Sequence, residues 1–317
     1  MEALWIILIV VGVIALAVLI ASYVCFRMAF YSPKRVIDEK FLFPDGEIYK
    51  PYHPRMLELM KETRATAHED VEIKSYDGLT LRGKYYEYKK GAPIELLMNG
   101  YRGASERDLC GGMQRCFALG RNALIVDQRA HGRSDGNVIS FGIRERKDCL
   151  AWAEFMVEKF GKDVKILIGG ISMGAATAMM AADLDLPKNV VGILADCGYS
   201  SPREIIKKVI KEMGLPTDVC YPFVWLGARL FGGFNLEETS PVEAMKRCKI
   251  PVLFFHGDAD AYVPCEMSKA CFDACPAPKK LCVIPNAGHG LCFMVDKEAY
   301  LQAFREFAED FKLFEEN

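Results

Sequence analysis

The sequence predicts an α/β domain built on a doubly wound, mostly parallel sheet of about eight strands, preceded by one N-terminal transmembrane helix. Three observations predict it. No charged side chain occurs between Ala3 and Phe26. Two strand-like runs, 71–76 and 79–88, flank Asp77-Gly78, a dipeptide that favours a hairpin turn. From Ile94 onward, short apolar runs alternate with segments of helical periodicity, the pattern of a sheet covered on both faces.

The apolar run comes first. At ~1.5 Å per residue it covers a hydrocarbon core of about 30 Å, with Trp5 and Tyr23 near its two ends as interfacial aromatics. A signal peptide would carry basic residues ahead of the run and an A-x-A site behind it. Here only Glu2 is charged ahead of it, and no such site follows. Residues 1–26 are therefore expected to be a retained single-pass membrane anchor. Residues 27–69 read as a juxtamembrane segment with a helix over 55–67, and 70–317 as the globular domain, expected to stand free of the anchor. Arg27, Lys34 and Arg35 follow the run and no Lys or Arg precedes it. The positive-inside rule then places the domain in the cytoplasm.

After the hairpin, strands are expected at 94–98, 123–126, 164–168, 190–194, 252–255 and 281–284. Helices are expected at 105–119, 143–160 and 173–182, and a last amphipathic one at 296–314. Residues 202–249 form the longest stretch between strands and are expected to make a short helical cap over the site. The net charge is −2 with mixed signs, which excludes the basic surface of a nucleic-acid binder. None of the 12 cysteines is in C-x-x-C spacing. Cys265, Cys271, Cys275, Cys282 and Cys292 crowd the last third, and small buried hydrophobes explain them better than a metal site. Unpatterned cysteines also suit a reducing compartment.

The chemistry is expected at Gly170-Ile171-Ser172-Met173-Gly174. This G-x-S-x-G directly follows a strand and opens a helix rich in alanine. Such a turn is strained, so the residues two before and two after the nucleophile must be tiny. Ser172 needs a base. Of the five histidines, His53 and His68 precede the sheet, and His131 and His256 suit structural roles at a loop and a strand end. His289 alone follows both serine and candidate acid, in a loop after the last strand. The acid lies between them. Asp258 and Asp260 both follow the 252–255 strand and spacing favours neither; Asp196 is a weaker third choice. The oxyanion donors are expected to be the backbone N–H groups of Met173 and, in the loop Asn99–Gly103, of Tyr101.

From about Val71 to Phe314 the chain resembles the α/β-hydrolase superfamily, most closely its membrane-anchored bacterial, serine-aminopeptidase-like branch. Asn99–Gly103, Asp127–Ser134, Gly170–Gly174, His256–Pro264 and Gly288-His289-Gly290 carry the likeness. The resemblance implies an α/β-hydrolase fold and a Ser172-His289-Asp260 triad, because the family's acid stands two residues ahead of Val-Pro; Asp258 is then structural. Asn99 departs from the histidine common at that position. The implied reaction is acyl transfer from a carboxylic ester to water through an acyl-enzyme, with no metal or organic cofactor. Short acyl groups are expected because the insert is short for a lipase lid. A peptidase, amidase or thioesterase would use the same triad, and a non-catalytic binding protein on this fold is the remote alternative.

Overall fold

The computed structural model describes residues 1–33 and 40–315. Lys34 and Arg35, two of the three basic residues in the orientation argument, lie outside them. In chain order the elements are α1 (Glu2–Ala29), α2 (His53–Ala65), β1 (Glu69–Lys74), β2 (Thr80–Tyr86), β3 (Ile94–Met98), α3 (Ser105–Asp108), α4 (Gly112–Ala118), β4 (Asn122–Asp127), α5 (Glu145–Phe160), β5 (Ile166–Ile171) and α6 (Met173–Ala181). There follow β6 (Val190–Asp196), α7 (Pro202–Glu212), α8 (Thr217–Gly227), α9 (Pro241–Met245), β7 (Val252–Gly257), α10 (Cys265–Ala274), β8 (Lys279–Ile284), α11 (Cys292–Val295) and α12 (Lys297–Asp310).

The eight strands form one sheet in the order β1-β2-β4-β3-β5-β6-β7-β8. β1 and β2 are antiparallel, β2 meets β4 antiparallel, and all other pairs are parallel. Strands β3 and β4 are buried at every position, as a sheet packed on both faces requires. Trp152, Met156 and Met179 pack on one face, and Phe304, Phe307 and Tyr300 on the other. The register pairs Met98 with Gly170, Ile171 with Asp196, and Asp196 with Phe255. The carboxyl ends of β3, β5, β6 and β7 therefore lie in a row, and the loops that leave them share one rim.

The expected helix over 105–119 is broken in two. Gly111 takes a left-handed conformation (φ 84°), and a Cβ there would come within 2.7 Å of the Phe293 ring. The close approach of α11 forces the break.

α1 is long and apolar enough to cross a membrane. Up to residue 17 it is exposed throughout. From there one face, Val18, Ala21, Ser22, Cys25, Phe26 and Ala29, turns inward, and among the helices α1 packs most extensively on α8. Phe26 and Phe30 are buried with Phe141, Tyr221 and Phe234. The chain after α1 is also tied down: Ser32 N–H donates to Asn137 O at 2.8 Å and Ile139 N–H to Phe30 O at 2.8 Å. The globular body thus incorporates the end of α1 and does not stand free of residues 1–26 as the sequence suggested. Small residues permit this. A Cβ on Gly227 would come within 2.4 Å of Ser22 O, so α1 and α8 touch backbone to backbone.

Phe30 has no exposed surface and lies edge-on to both Phe141 and Phe234. Phe30→Ala should cost about 3–5 kcal/mol, read as a lowered Tm of the full chain in detergent. Leu8→Ala, on the exposed stretch, should leave Tm unchanged.

Candidate active site

Ser172 stands between β5 and α6 with φ 56° and ψ −115°, a strained backbone for a residue with a side chain. A Cβ on Gly170 would come within 2.3 Å of the Gly174 carbonyl carbon, and one on Gly174 within 2.2 Å of Met98 O. Both glycines are obligatory, which is the physical content of the G-x-S-x-G spacing. Ser172 N–H donates to Asp196 O at 2.8 Å, continuing the sheet ladder into the turn. Met173 opens α6, where N–H groups lack intrahelical acceptors and the helix dipole favours negative charge.

The loop after β3 reaches the same place. A Cβ built on Gly100 would lie 3.6 Å from Ser172 Cβ. Gly100 N–H donates to Asp108 Oδ2 at 3.0 Å. Asn99, the departure from the family pattern, is fully buried and locks the loop to the end of β4. Its Oδ1 accepts from Gln128 N–H at 3.2 Å, its carbonyl accepts from Gln128 Nε2 at 2.6 Å, and its Nδ2 donates to Gly100 O at 2.9 Å. Asp127 holds the next turn, accepting from Ser105 Oγ at 2.6 Å and from Arg133 N–H at 3.0 Å.

His289 Nδ1 donates to Asp260 Oδ2 at 2.7 Å, which leaves Nε2 as the free basic nitrogen. Asp260 Oδ1 accepts from the N–H groups of Tyr262 and Val263 at 2.9 and 2.8 Å. Burial raises the Asp260 pKa, but the bonds from His256, His289 and Val263 outweigh it and hold the carboxyl well below the usual carboxylate range. Asp258 is turned elsewhere, accepting from Asn286 N–H at 2.6 Å. Asp196 is buried beneath the site, where the Tyr300 hydroxyl donates to it at 3.2 Å, and burial raises its pKa. Of the three candidate acids, Asp260 is the one whose carboxylate meets His289.

Two other histidines are explained. His131 is buried with Nδ1 donating to Arg129 O at 2.8 Å, and burial lowers its pKa. His256 donates from Nε2 to Val263 O at 2.8 Å, as expected of a strand-end residue, but that nitrogen also lies 3.3 Å from Asp260 Oδ2. It buttresses the acid, a role that spacing did not suggest.

Ser172, Tyr101, Tyr262 and His289 open onto a cavity of about 580 Å³. Leu97, Leu109, Met56, Phe293 and Met294 give it apolar walls. Residues 44–49 of the juxtamembrane segment form another wall, and the Tyr49 hydroxyl donates to His289 O at 3.0 Å. The 202–249 insert, expected as the cap, contributes only Glu212 to the lining; within it α8 packs on α1 and α9 on α6. No periodic pattern marked 44–49, because a loop wall needs none; only Pro44 and Gly46 signalled a fixed turn. Arg115 closes the floor, paired with the fully buried Glu95 and bonded to the Tyr300 hydroxyl at 3.0 Å.

All 12 cysteines are free thiols. Among the described residues, Cys197, Asp260 and His289 bring potential metal-ligand atoms within 4.8 Å of one another. Burial holds the Cys197 thiol well above its ordinary pKa, so it is a poor thiolate ligand.

Comparison with known proteins agrees with this architecture. The Bacillus subtilis protein YqkD is 28% identical over 193 residues, which span 61% of this chain and 63% of that one. The Pyrococcus furiosus esterase superposes with a TM-score of 0.66 at 21% identity, over 89% of this chain and 98% of its own. The Pyrococcus horikoshii acylaminoacyl peptidase superposes at 0.58 with 18% identity, over 81% of this chain but 44% of its own. At these identities the likeness to solved structures shows the fold: an α/β-hydrolase. The model of the prolyl oligopeptidase family matches residues 140–311. That stretch is more than half of the chain and carries Ser172, Asp260 and His289, and the protein belongs to the prolyl oligopeptidase family.

Proposed function

We propose that this protein is a serine hydrolase that cleaves carboxylic esters through an acyl-enzyme. One observation carries the reading: the Asp260–His289 bond of 2.7 Å borders the cavity onto which the strained Ser172 opens. In the proposed reaction His289 Nε2 takes the proton of Ser172 as Oγ attacks the ester carbonyl carbon. The N–H groups of Met173 and Tyr101 receive the oxyanion. The carbonyl re-forms, the alcohol leaves with the proton from His289, and water repeats the sequence to release the acid. Asp260 keeps the proton on Nδ1 and stabilises the imidazolium. A purely binding role would not require this pairing.

The family match favours a second reading, in which the leaving group is an amine and the protein a peptidase; a thioester would need the same residues. The leaving group divides them. A panel of p-nitrophenyl esters and aminoacyl-anilides should give kcat/KM values that favour the esters, and a clear preference for anilides would establish the peptidase reading. Within the ester series, short acyl chains should be preferred, because the 202–249 insert is short for a lipase lid and brings only Glu212 to the cavity lining. An optimum at about twelve carbons or more would overturn the short-acyl assignment. We place the domain on the cytoplasmic side of the membrane, on the strength of Arg27, Lys34 and Arg35. Protease treatment of intact cells or spheroplasts tests this, since digestion of the domain without membrane disruption would place it outside.

Ser172→Ala should abolish hydrolysis and labelling by a fluorophosphonate, with Tm equal to or slightly above that of the wild type because the turn is strained. Retained activity would remove Ser172 from the mechanism. Asp260→Asn should lower kcat on the order of 10⁴-fold by misorienting His289. Asp258→Asn should cost far less, since Asp258 accepts from the Asn286 N–H whereas Asp260 accepts from His289; steady-state kinetics of the two variants give the ranking.

A further inference from the structure

Past Thr217 and Asp218, helix α8 is apolar on all sides. From Val219 to Ala228 it carries no charged residue. One face, Tyr221, Val224, Gly227 and the following Ala228, is buried against α1 and the core. The opposite face carries Val219, Pro222, Phe223 and Leu226, spaced as one helical stripe, and Leu230 follows in the next turn. Val219 and Leu230 are 60% and 52% exposed, and Phe231, in the π-helical turn Ala228–Gly232, is 39% exposed. A surface helix normally turns polar residues outward, so this stripe faces something other than water.

Its occupant follows from where α8 is held. Counting about 20 residues for a hydrocarbon core from Ala3 places the boundary near Ser22. At that level α1 meets α8: Gly227 abuts Ser22 and Phe26, and Phe231 lies edge-on to Tyr23 at 5.1 Å. The outward stripe is thus continuous with the lipid-facing surface of α1. Trp225 is half-buried on the same helix, with Arg229 over its ring at 5.2 Å, the pairing of an interfacial aromatic with a cation that can reach headgroups.

We propose that α8 and the turn after it lie in the membrane interface beside α1, as a second, monotopic contact that fixes the orientation of the catalytic domain on the bilayer. The occupant of the stripe is lipid. This rests on α1 being a retained membrane span, and the test separates the two claims.

The chain has three tryptophans: Trp5 in α1, Trp152 in the main core and Trp225 in α8. The full chain is reconstituted in vesicles of phosphatidylcholine and phosphatidylglycerol, with and without bromine on the acyl chains near the headgroup, and tryptophan emission is read. Trp5→Phe leaves Trp225 and the shielded Trp152, and this variant should still lose emission to the brominated lipid. The double variant W5F/W225F should keep its emission. Quenching of the wild type but not of Trp5→Phe would overturn the proposal while leaving α1 in the membrane, as would equal quenching of Trp5→Phe and the double variant. A wild type that is not quenched at all would overturn the reading of α1 as a span, and the proposal with it.

Discussion

A side chain two residues before or after Ser172 has nowhere to go. The backbone of β3 closes on Gly174 from one side, and the first turn of α6 closes on Gly170 from the other. That close approach lets the chain reverse from strand to helix within one residue and leaves Ser172 at φ 56°. The rest of the site is arranged around the turn. The loop after β3 passes against Ser172 because β3 pairs with β5 in parallel, and Asp260 and His289 reach the same rim because β7 and β8 extend the sheet in the same direction. The strain is local, and the fully buried small residues of α6 sustain it.

Much of this was legible in the sequence, for reasons that differ by residue. The parallel strands showed because burial on both faces demands unbroken apolar runs. Ser172 showed because its turn restricts two neighbours, Gly170 and Gly174, and His289 because few histidines compete with it. Asp258 and Asp260 could not be separated by spacing, since both follow β7; only the direction of each carboxylate distinguishes them, and direction is a tertiary property. The role of His256 was hidden for the same reason. Its backbone bond looks structural, while its contact with Asp260 depends on the turn at Ala259 to Val263. Asn99 looked like a defect in the motif. Its two side-chain hydrogen bonds show a different polar side chain holding the same loop.

The wall at residues 44–49 was illegible, as was the docking of α1 on the body. Neither leaves a periodic trace. The apolar run of α1 reads the same along its whole length, although its later turns face protein and its earlier ones do not. Ala21, Ser22 and Gly227 are the residues that betray the contact, and small residues in an apolar helix are too common to be decisive alone.

The polar links between α1 and the loop beside Ser172 have a consequence of their own. The Tyr101 hydroxyl donates to Ala29 O at 2.8 Å, and Arg102 Nη2 donates to Met28 O and Tyr31 O at 2.7 and 2.9 Å. Two of these acceptors, at Met28 and Ala29, are carbonyls in the last turn of α1 and the third, at Tyr31, lies just past it, so no side chain in α1 specifies them; position does. The early turns of α1 are then free to drift among apolar residues over evolutionary time. Its last turns are bound to the history of the domain, and a foreign helix put in place of α1 would have to end at the same residue and in the same rotation about its axis.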